Sequence, residues 1–77
     1  MKMTEICERF IENNVECHVN GDIMILEDNE YAITKIIRDN SKTIIITALG
    51  DIIELQYDLV MEVLDTKKYS LTLVFKL

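Results

Sequence analysis

Apolar and polar residues recur at helical spacing near the start of the chain. Thr4 is a suitable N-cap, and Asn13 and Asn14 suit the end of a helix. The spacing therefore predicts an amphipathic helix from about Thr4 to Asn13 or Asn14. Its apolar side would carry Met3, Ile6, Cys7, Phe10 and Ile11, and its charged side Glu5, Glu8, Arg9 and Glu12.

Two short apolar-rich segments follow, and a turn dipeptide separates them. The segments are VECHV (15–19) and DIMIL (22–26), on either side of Asn20-Gly21. This dipeptide favours a two-residue hairpin turn, because such a turn needs positive φ at both positions. The turn also predicts the register of the hairpin. The expected cross-strand partners are Cys17 with Met24, Val15 with Leu26, and His18 with Ile23.

Three further segments have the composition or the alternation of strands. YAITKIIR (31–38) and KTIIITAL (42–49) are dense in β-branched residues, which favour strands. The C-terminal YSLTLVFKL (69–77) alternates apolar and polar positions, as a strand buried on one face does. Each segment is therefore predicted to be a strand.

The segment GDIIELQYDLVMEVLD (50–65) fits two different periods. Residues 53–59 alternate like a strand, whereas five acidic residues recur at helical spacing and fall within roughly an 80° arc of a helical wheel. The helical period accounts for almost the whole segment, so we predict a helix from about 51 to 65. In the alternative interpretation, residues 52–56 form a strand that pairs with 43–49, and the helix begins near Asp58. The acidic residues are Asp51, Glu54, Asp58, Glu62 and Asp65.

These elements predict one α+β domain that spans residues 1–77. The expected order is α-β-β-β-β-α-β, with an antiparallel-rich sheet and both helices packed on one face. The residues expected under the helices are Val15, Cys17, Met24, Leu26 and Ile33. The opposite face would still carry several isoleucines, although an antiparallel sheet with one wet face usually alternates cleanly. That face is either covered by a strand or loop, or it is an interface. The predicted interface residues are Ile23, Ile25, Ile36 and Ile45.

Length and charge exclude several classes of partner. The chain has 77 residues and a net charge of −6, and it can bury only about 60% of its unfolded surface. Direct binding to nucleic acid or to an anionic membrane is disfavoured, because both need clustered cations. No segment resembles an export signal or a membrane span. We therefore expect a cytoplasmic protein whose two cysteines are reduced thiols.

The residues that could carry chemistry are few. His18 and Cys17 are neighbours on a predicted strand and point to opposite faces, so they cannot share an ion. Cys7 and Cys17 together lack the further ligands that structural zinc needs. The acidic loop 27–30 lacks the ligand spacing of a calcium hand and favours a charged turn. No catalytic, cofactor or metal site is expected, and metal or small-ligand binding by Cys7, Cys17 and His18 is a third-ranked hypothesis.

The acidic residues of 51–65 suggest a function in protein binding. Like charges at i,i+4 spacing destabilise a helix slightly, so the stripe is either a solvated face or a docking surface for Lys and Arg. The leading hypothesis is a small non-enzymatic inhibitor that covers the basic surface of a nucleic-acid-handling enzyme, as phage-encoded antagonists of bacterial defence enzymes do. The alternative is a homodimer or higher oligomer that associates through the apolar sheet face in a structural or regulatory role.

Overall fold

The computed structural model describes residues 2–29, 31–40, 42–65 and 70–77. Within these ranges the chain forms one helix, near its start, and then seven strands. The helix is α1 (Met3–Glu12), and the strands are β1 (Glu16–Asn20), β2 (Ile23–Asp28), β3 (Ile33–Asp39), β4 (Lys42–Thr47), β5 (Ile52–Leu55), β6 (Asp58–Asp65) and β7 (Ser70–Lys76).

The strands form two antiparallel sheets. Sheet A has the order β1-β2-β7-β6, and sheet B has the order β3-β4-β5. The register shifts between Ile33 and Lys35 in β3 and between Leu59 and Met61 in β6, which marks a bulge in each strand. The predicted α+β class with a mostly antiparallel sheet is confirmed, but the prediction of two helices is wrong.

Helix α1 confirms the first predicted element. It begins at Met3, one residue earlier than predicted, and the carboxylate of Glu5 accepts a hydrogen bond from the backbone N–H of Lys2 at 3.4 Å. Ile6 and Phe10 are buried on its apolar side. Asn14 takes a positive φ of 64° where the helix has ended, a conformation that asparagine tolerates better than most residues.

The segment predicted as a second helix consists of two strands. Strand β5 pairs antiparallel with β4, so that Ile53 lies opposite Ile45 and Ile52 opposite Ile46. The alternative pairing of 52–56 with 43–49 was therefore correct, but a helix near Asp58 was wrong because β6 pairs with β7. Strand β5 forms in place of a helix because its two-residue alternation puts Ile53 and Leu55 on one face, where both are buried in the core.

The first hairpin forms in a register shifted from the predicted one. Its two turn residues are Gly21 and Asp22, because Asn20 pairs with Ile23. Gly21 takes the positive φ of 63° that the first turn position needs in a type II′ turn. The shift amounts to two residues, so every side chain keeps its predicted face. The observed partners are Cys17 with Leu26, His18 with Ile25, and Glu16 with Glu27.

The core lies between the inner faces of the two sheets and the apolar side of α1. Val15, Met24, Leu26 and Ile33 are buried as predicted, and Cys17 packs against them half-buried. Ile45 was expected on the open face, but it is fully buried, and that prediction is wrong. The core residues are Ile6, Phe10, Val15, Met24, Leu26, Ala32, Ile33, Ile45, Ile53, Leu55, Leu73 and Phe75.

Candidate functional site

The five acidic residues of 51–65 do not share one face of a helix. Asp51 lies in the turn between β4 and β5, Glu54 lies on β5, and Glu62 is exposed on β6. Asp58 and Asp65 are the first and last residues of β6, and their side chains lie outside the described part. The helical stripe that suggested a docking surface is therefore absent, and the partner-binding role of these residues stays a prediction.

Asp51 takes part in a hydrogen-bond network inside the protein. Its carboxylate accepts a hydrogen bond from Asn13 Nδ2 at 2.9 Å, and its backbone N–H donates to Thr47 Oγ1 at 3.1 Å. Asn13, which is only 2% exposed, also donates to the carbonyl of Arg9 and accepts from Thr47 Oγ1. Asp51 thus joins the end of α1 to the β4–β5 turn, a structural role.

Glu54 forms an ion pair on the outer face of sheet B. Its carboxylate lies 2.8 Å from Lys42 Nζ, and both side chains are partly exposed. The hydrogen bond and charge of Glu54, helped by the charge of Asp39, raise the pKa of Lys42 above its usual 10.5. Because Glu54 already has a cation partner, a second protein would have to displace Lys42 to bind it.

The same face of sheet B carries four isoleucines side by side. We call Ile37, Ile44, Ile46 and Ile52 the isoleucine face. Ile37 lies opposite Ile44, and Ile46 lies opposite Ile52. Ile52 is 62% exposed and the other three are half-buried. A contiguous apolar patch at the surface is a candidate for contact with another molecule.

Charged residues border the isoleucine face in equal numbers of each sign. Lys35 pairs with Ile46 across the strands, and Asp39 pairs with Lys42. With Glu54 on β5, the outward-facing charged side chains of these three strands are two lysines and two carboxylates, so their formal charges sum to zero while the whole chain carries −6. The face is therefore electrically neutral on an acidic protein.

The isoleucines predicted as an interface do not lie on one face. Ile23 and Ile25 lie on the outer face of sheet A, where Ile23 is 38% exposed and Ile25 half-buried. Ile36 is partly buried and packs against the core, and Ile45 is inside it. An interface role for Ile23, Ile25 and Ile36 stays a prediction. Sequence reasoning missed the isoleucine face, although the uninterrupted apolar run 44–46, which contains Ile44 and Ile46, indicates two apolar faces.

The two cysteines are joined across the helix and the first hairpin. Cys7 of α1 and Cys17 of β1 form a disulfide, with their Cα atoms 5.4 Å apart. This corrects the expectation of reduced thiols, which was drawn from the cysteine count and the residue pattern at the start of the sequence. Disulfides persist mainly in oxidising compartments, so this bond lends no support to the cytoplasmic expectation, which stays a prediction.

His18 lies on the other face of β1, away from the disulfide. It is exposed beside Glu16, and its Nε2 lies 3.6 Å from Glu16 Oε2. The three residues of the third-ranked hypothesis, Cys7, Cys17 and His18, are therefore not brought together. The cluster around His18 instead contains Glu16 and Glu27, whose ligating atoms lie within 4.8 Å of one another and of the imidazole.

Comparisons with known proteins leave the function to be argued from the residues. No family model, no curated protein and no solved structure matches this chain. The described residues contain no helix long and apolar enough to cross a membrane.

Proposed function

We propose that this chain is a non-enzymatic protein-binding module that pairs with a second copy of itself through the isoleucine face. The observation that supports the proposal is the combination of four adjacent isoleucines with a border of zero formal charge. Burying such side chains against another apolar surface is favourable at about 25 cal/mol per Å². A second copy offers a surface of the same chemistry.

The arrangement of the three strands is compatible with a twofold-symmetric pair. Lys35 lies on β3 and Glu54 on β5, at opposite edges of the three-stranded sheet. A twofold axis parallel to β4 places the β3 edge of one copy over the β5 edge of the other. Such an axis keeps the position along the strands, so Lys35 of each copy lies over the partner's Ile52, about 7 Å along the strand from the partner's Glu54, and the isoleucines meet in the centre. Flat β-branched faces of this kind pack as the two layers of a β-sandwich do.

The size of the face limits the strength of the pair. A three-stranded face of this length measures about 15 Å by 15–20 Å. Two such faces bury less than the roughly 1,200 Å² of a standard interface, which is typical of transient complexes. The net charge of −6 on each copy also opposes association, although salt screens it. We therefore expect a concentration-dependent dimer with a micromolar dissociation constant.

Sedimentation equilibrium over a range of concentrations tests the proposal. Wild-type protein should pass from monomer to dimer as its concentration rises through the micromolar range. Ile52→Asp should remain monomeric, because it places a charge within the apolar contact. The matched control is Ile23→Asp, which adds the same charge on the outer face of sheet A and should dimerise like wild type. A wild type that is monomeric at high micromolar concentration would exclude self-pairing.

A second candidate function is binding to a basic surface of another protein. The isoleucine face is neutral, so the whole excess of six negative charges lies elsewhere on the chain. Such a charge raises the rate of encounter with a basic partner. A tagged pull-down eluted by a salt gradient tests it, because screened charge contacts release at moderate salt. The inhibitor hypothesis predicts that wild type recovers a nucleic-acid enzyme and that the double variant Glu54→Lys/Asp58→Lys does not. Equal recovery of the enzyme by wild type and by the double variant would contradict it.

A further inference from the structure

Strands β1 and β2 bring one imidazole and two carboxylates together on the outer face of sheet A. Glu16 and His18 are two residues apart on β1 and therefore share a face. Glu27 lies directly opposite Glu16 on β2. Among the described residues, these three form a group whose ligating atoms all lie within 4.8 Å of one another. The register of the first hairpin creates this cluster.

The cluster carries a repulsion that a cation would remove. Two like charges directly opposite each other on neighbouring strands destabilise the pair. Within the described part of the chain, neither Glu16 nor Glu27 forms an ion pair with a lysine or arginine, and the nearest contact of this kind is the 3.6 Å between Glu16 Oε2 and His18 Nε2. A bound divalent cation would neutralise both carboxylates at once. The imidazole would then serve as a neutral nitrogen ligand.

The strand that carries two of these side chains is anchored from behind. Cys17 lies between Glu16 and His18, and its side chain points to the opposite face, where the disulfide joins it to Cys7 of α1. The backbone at 16–18 is therefore held by the β2 ladder on one side and by the helix behind it. Only exposed side-chain torsions must adjust when a ligand binds, which lowers the cost of assembling the site.

We propose that Glu16, His18 and Glu27 bind a divalent first-row transition metal ion such as Zn²⁺. Imidazole nitrogen with carboxylate oxygen suits zinc, nickel and copper, whereas calcium and magnesium prefer oxygen ligands alone. Ligands of tetrahedral zinc lie about 3.3 Å apart, given metal–ligand distances of about 2.0–2.1 Å. His18 Nε2 and Glu16 Oε2 are already 3.6 Å apart. Three protein ligands leave the fourth position to water, as in open zinc sites.

Zinc titration of untagged protein tests the proposal, with binding followed by backbone amide chemical shifts and by calorimetry. One equivalent of Zn²⁺ should bind, with shift changes centred on residues 16–18 and 26–28. His18→Ala and Glu27→Gln should each weaken binding at least tenfold, whereas Glu62→Gln, an exposed glutamate on β6, should bind like wild type. Circular dichroism of each variant checks the fold. Equal affinity of His18→Ala and wild type, or shift changes centred elsewhere, would overturn the proposal.

Discussion

Asn13 and Asp51 are joined by a side-chain hydrogen bond of 2.9 Å, although 38 positions separate them in the sequence. The two amide hydrogens of Asn13 have separate acceptors, Asp51 and the carbonyl of Arg9, and its oxygen accepts from Thr47. The buried amide is therefore fully paired. This one side chain connects the helix to sheet B.

Replacing Asn13 with alanine should destabilise the fold. The change removes the acceptor of the buried Thr47 hydroxyl and one donor to the partly buried Asp51 carboxylate, and a buried group left unpaired costs about 1–3 kcal/mol. The thermal midpoint should fall by roughly 4–8 °C per kcal/mol in a domain of this size. Thermal unfolding of Asn13→Ala against Asn20→Ala, an exposed asparagine on β1, measures the effect. Equal midpoints for the two variants would show that the network contributes nothing.

The same substitution at two neighbouring isoleucines of β4 should destabilise the fold by very different amounts. Ile45 is fully buried, whereas Ile46 lies on the isoleucine face. A domain of 77 residues has a stability of roughly 4–11 kcal/mol, so burying a carboxylate at position 45 should unfold it. Ile46→Asp should stay folded and lose about 1 kcal/mol. Chemical denaturation at low protein concentration compares them, and two equally folded variants would contradict the assignment of faces.

The Cys7–Cys17 disulfide should contribute measurably to stability. It links positions ten residues apart, and a loop of this length corresponds to about 2–3 kcal/mol in the chain-entropy account. Cys7→Ser/Cys17→Ser should therefore have a lower denaturation midpoint than oxidised wild type. A reducing agent should lower the wild-type midpoint to the same value and leave the double variant unchanged. A wild-type midpoint that does not respond to reduction would mean that the bond does not form.

The ion pair of Lys42 and Glu54 should make stability depend on alkaline pH. The pKa of Lys42 is raised in the folded state, so its contribution is fully present below the unfolded value of 10.5. It is lost as the pH rises through the raised folded pKa. Glu54→Gln should therefore be less stable than wild type at neutral pH and approach it at strongly alkaline pH. Denaturation midpoints measured across this range test the convergence; parallel curves would contradict it.

Local patterns in the sequence predicted the first half of the fold well. The helix over 3–12 and the strands that follow have apolar periodicities and β-branched runs that act within a few residues, although the helix is capped at Lys2 and not at Thr4. The inward positions of Val15, Met24 and Leu26 also survived the error in register, because a shift of two residues keeps every side chain on its face. Faces are therefore easier to predict than cross-strand partners.

Non-local effects explain why the sequence pattern failed to predict strand β5 and the cluster on the first hairpin. The acidic residues of 51–65 have helical spacing, but Ile53 and Leu55 complete a core that β4 and β7 build, and that burial outweighs a surface pattern. The cluster of Glu16, His18 and Glu27 could not be predicted from the Asn20-Gly21 turn, because that register places Glu16 opposite Ile25. Moving the turn centre to Gly21-Asp22 brings the two glutamates together.

The bulges at Ile33/Lys35 and Leu59/Met61 lie in two strands that form the outer edges of the sheets. A bulge leaves an edge strand unable to offer a straight row of amide groups to another chain. The other two edge strands are β5, which has only four residues, and β1, whose outer side chains are charged or polar. The chain contains an uncharged, β-branched segment at 43–47, the kind of sequence that forms cross-β aggregates when a strand edge is exposed. Its edges therefore oppose fibre growth, whereas the proposed self-pairing uses a sheet face and requires no free edge.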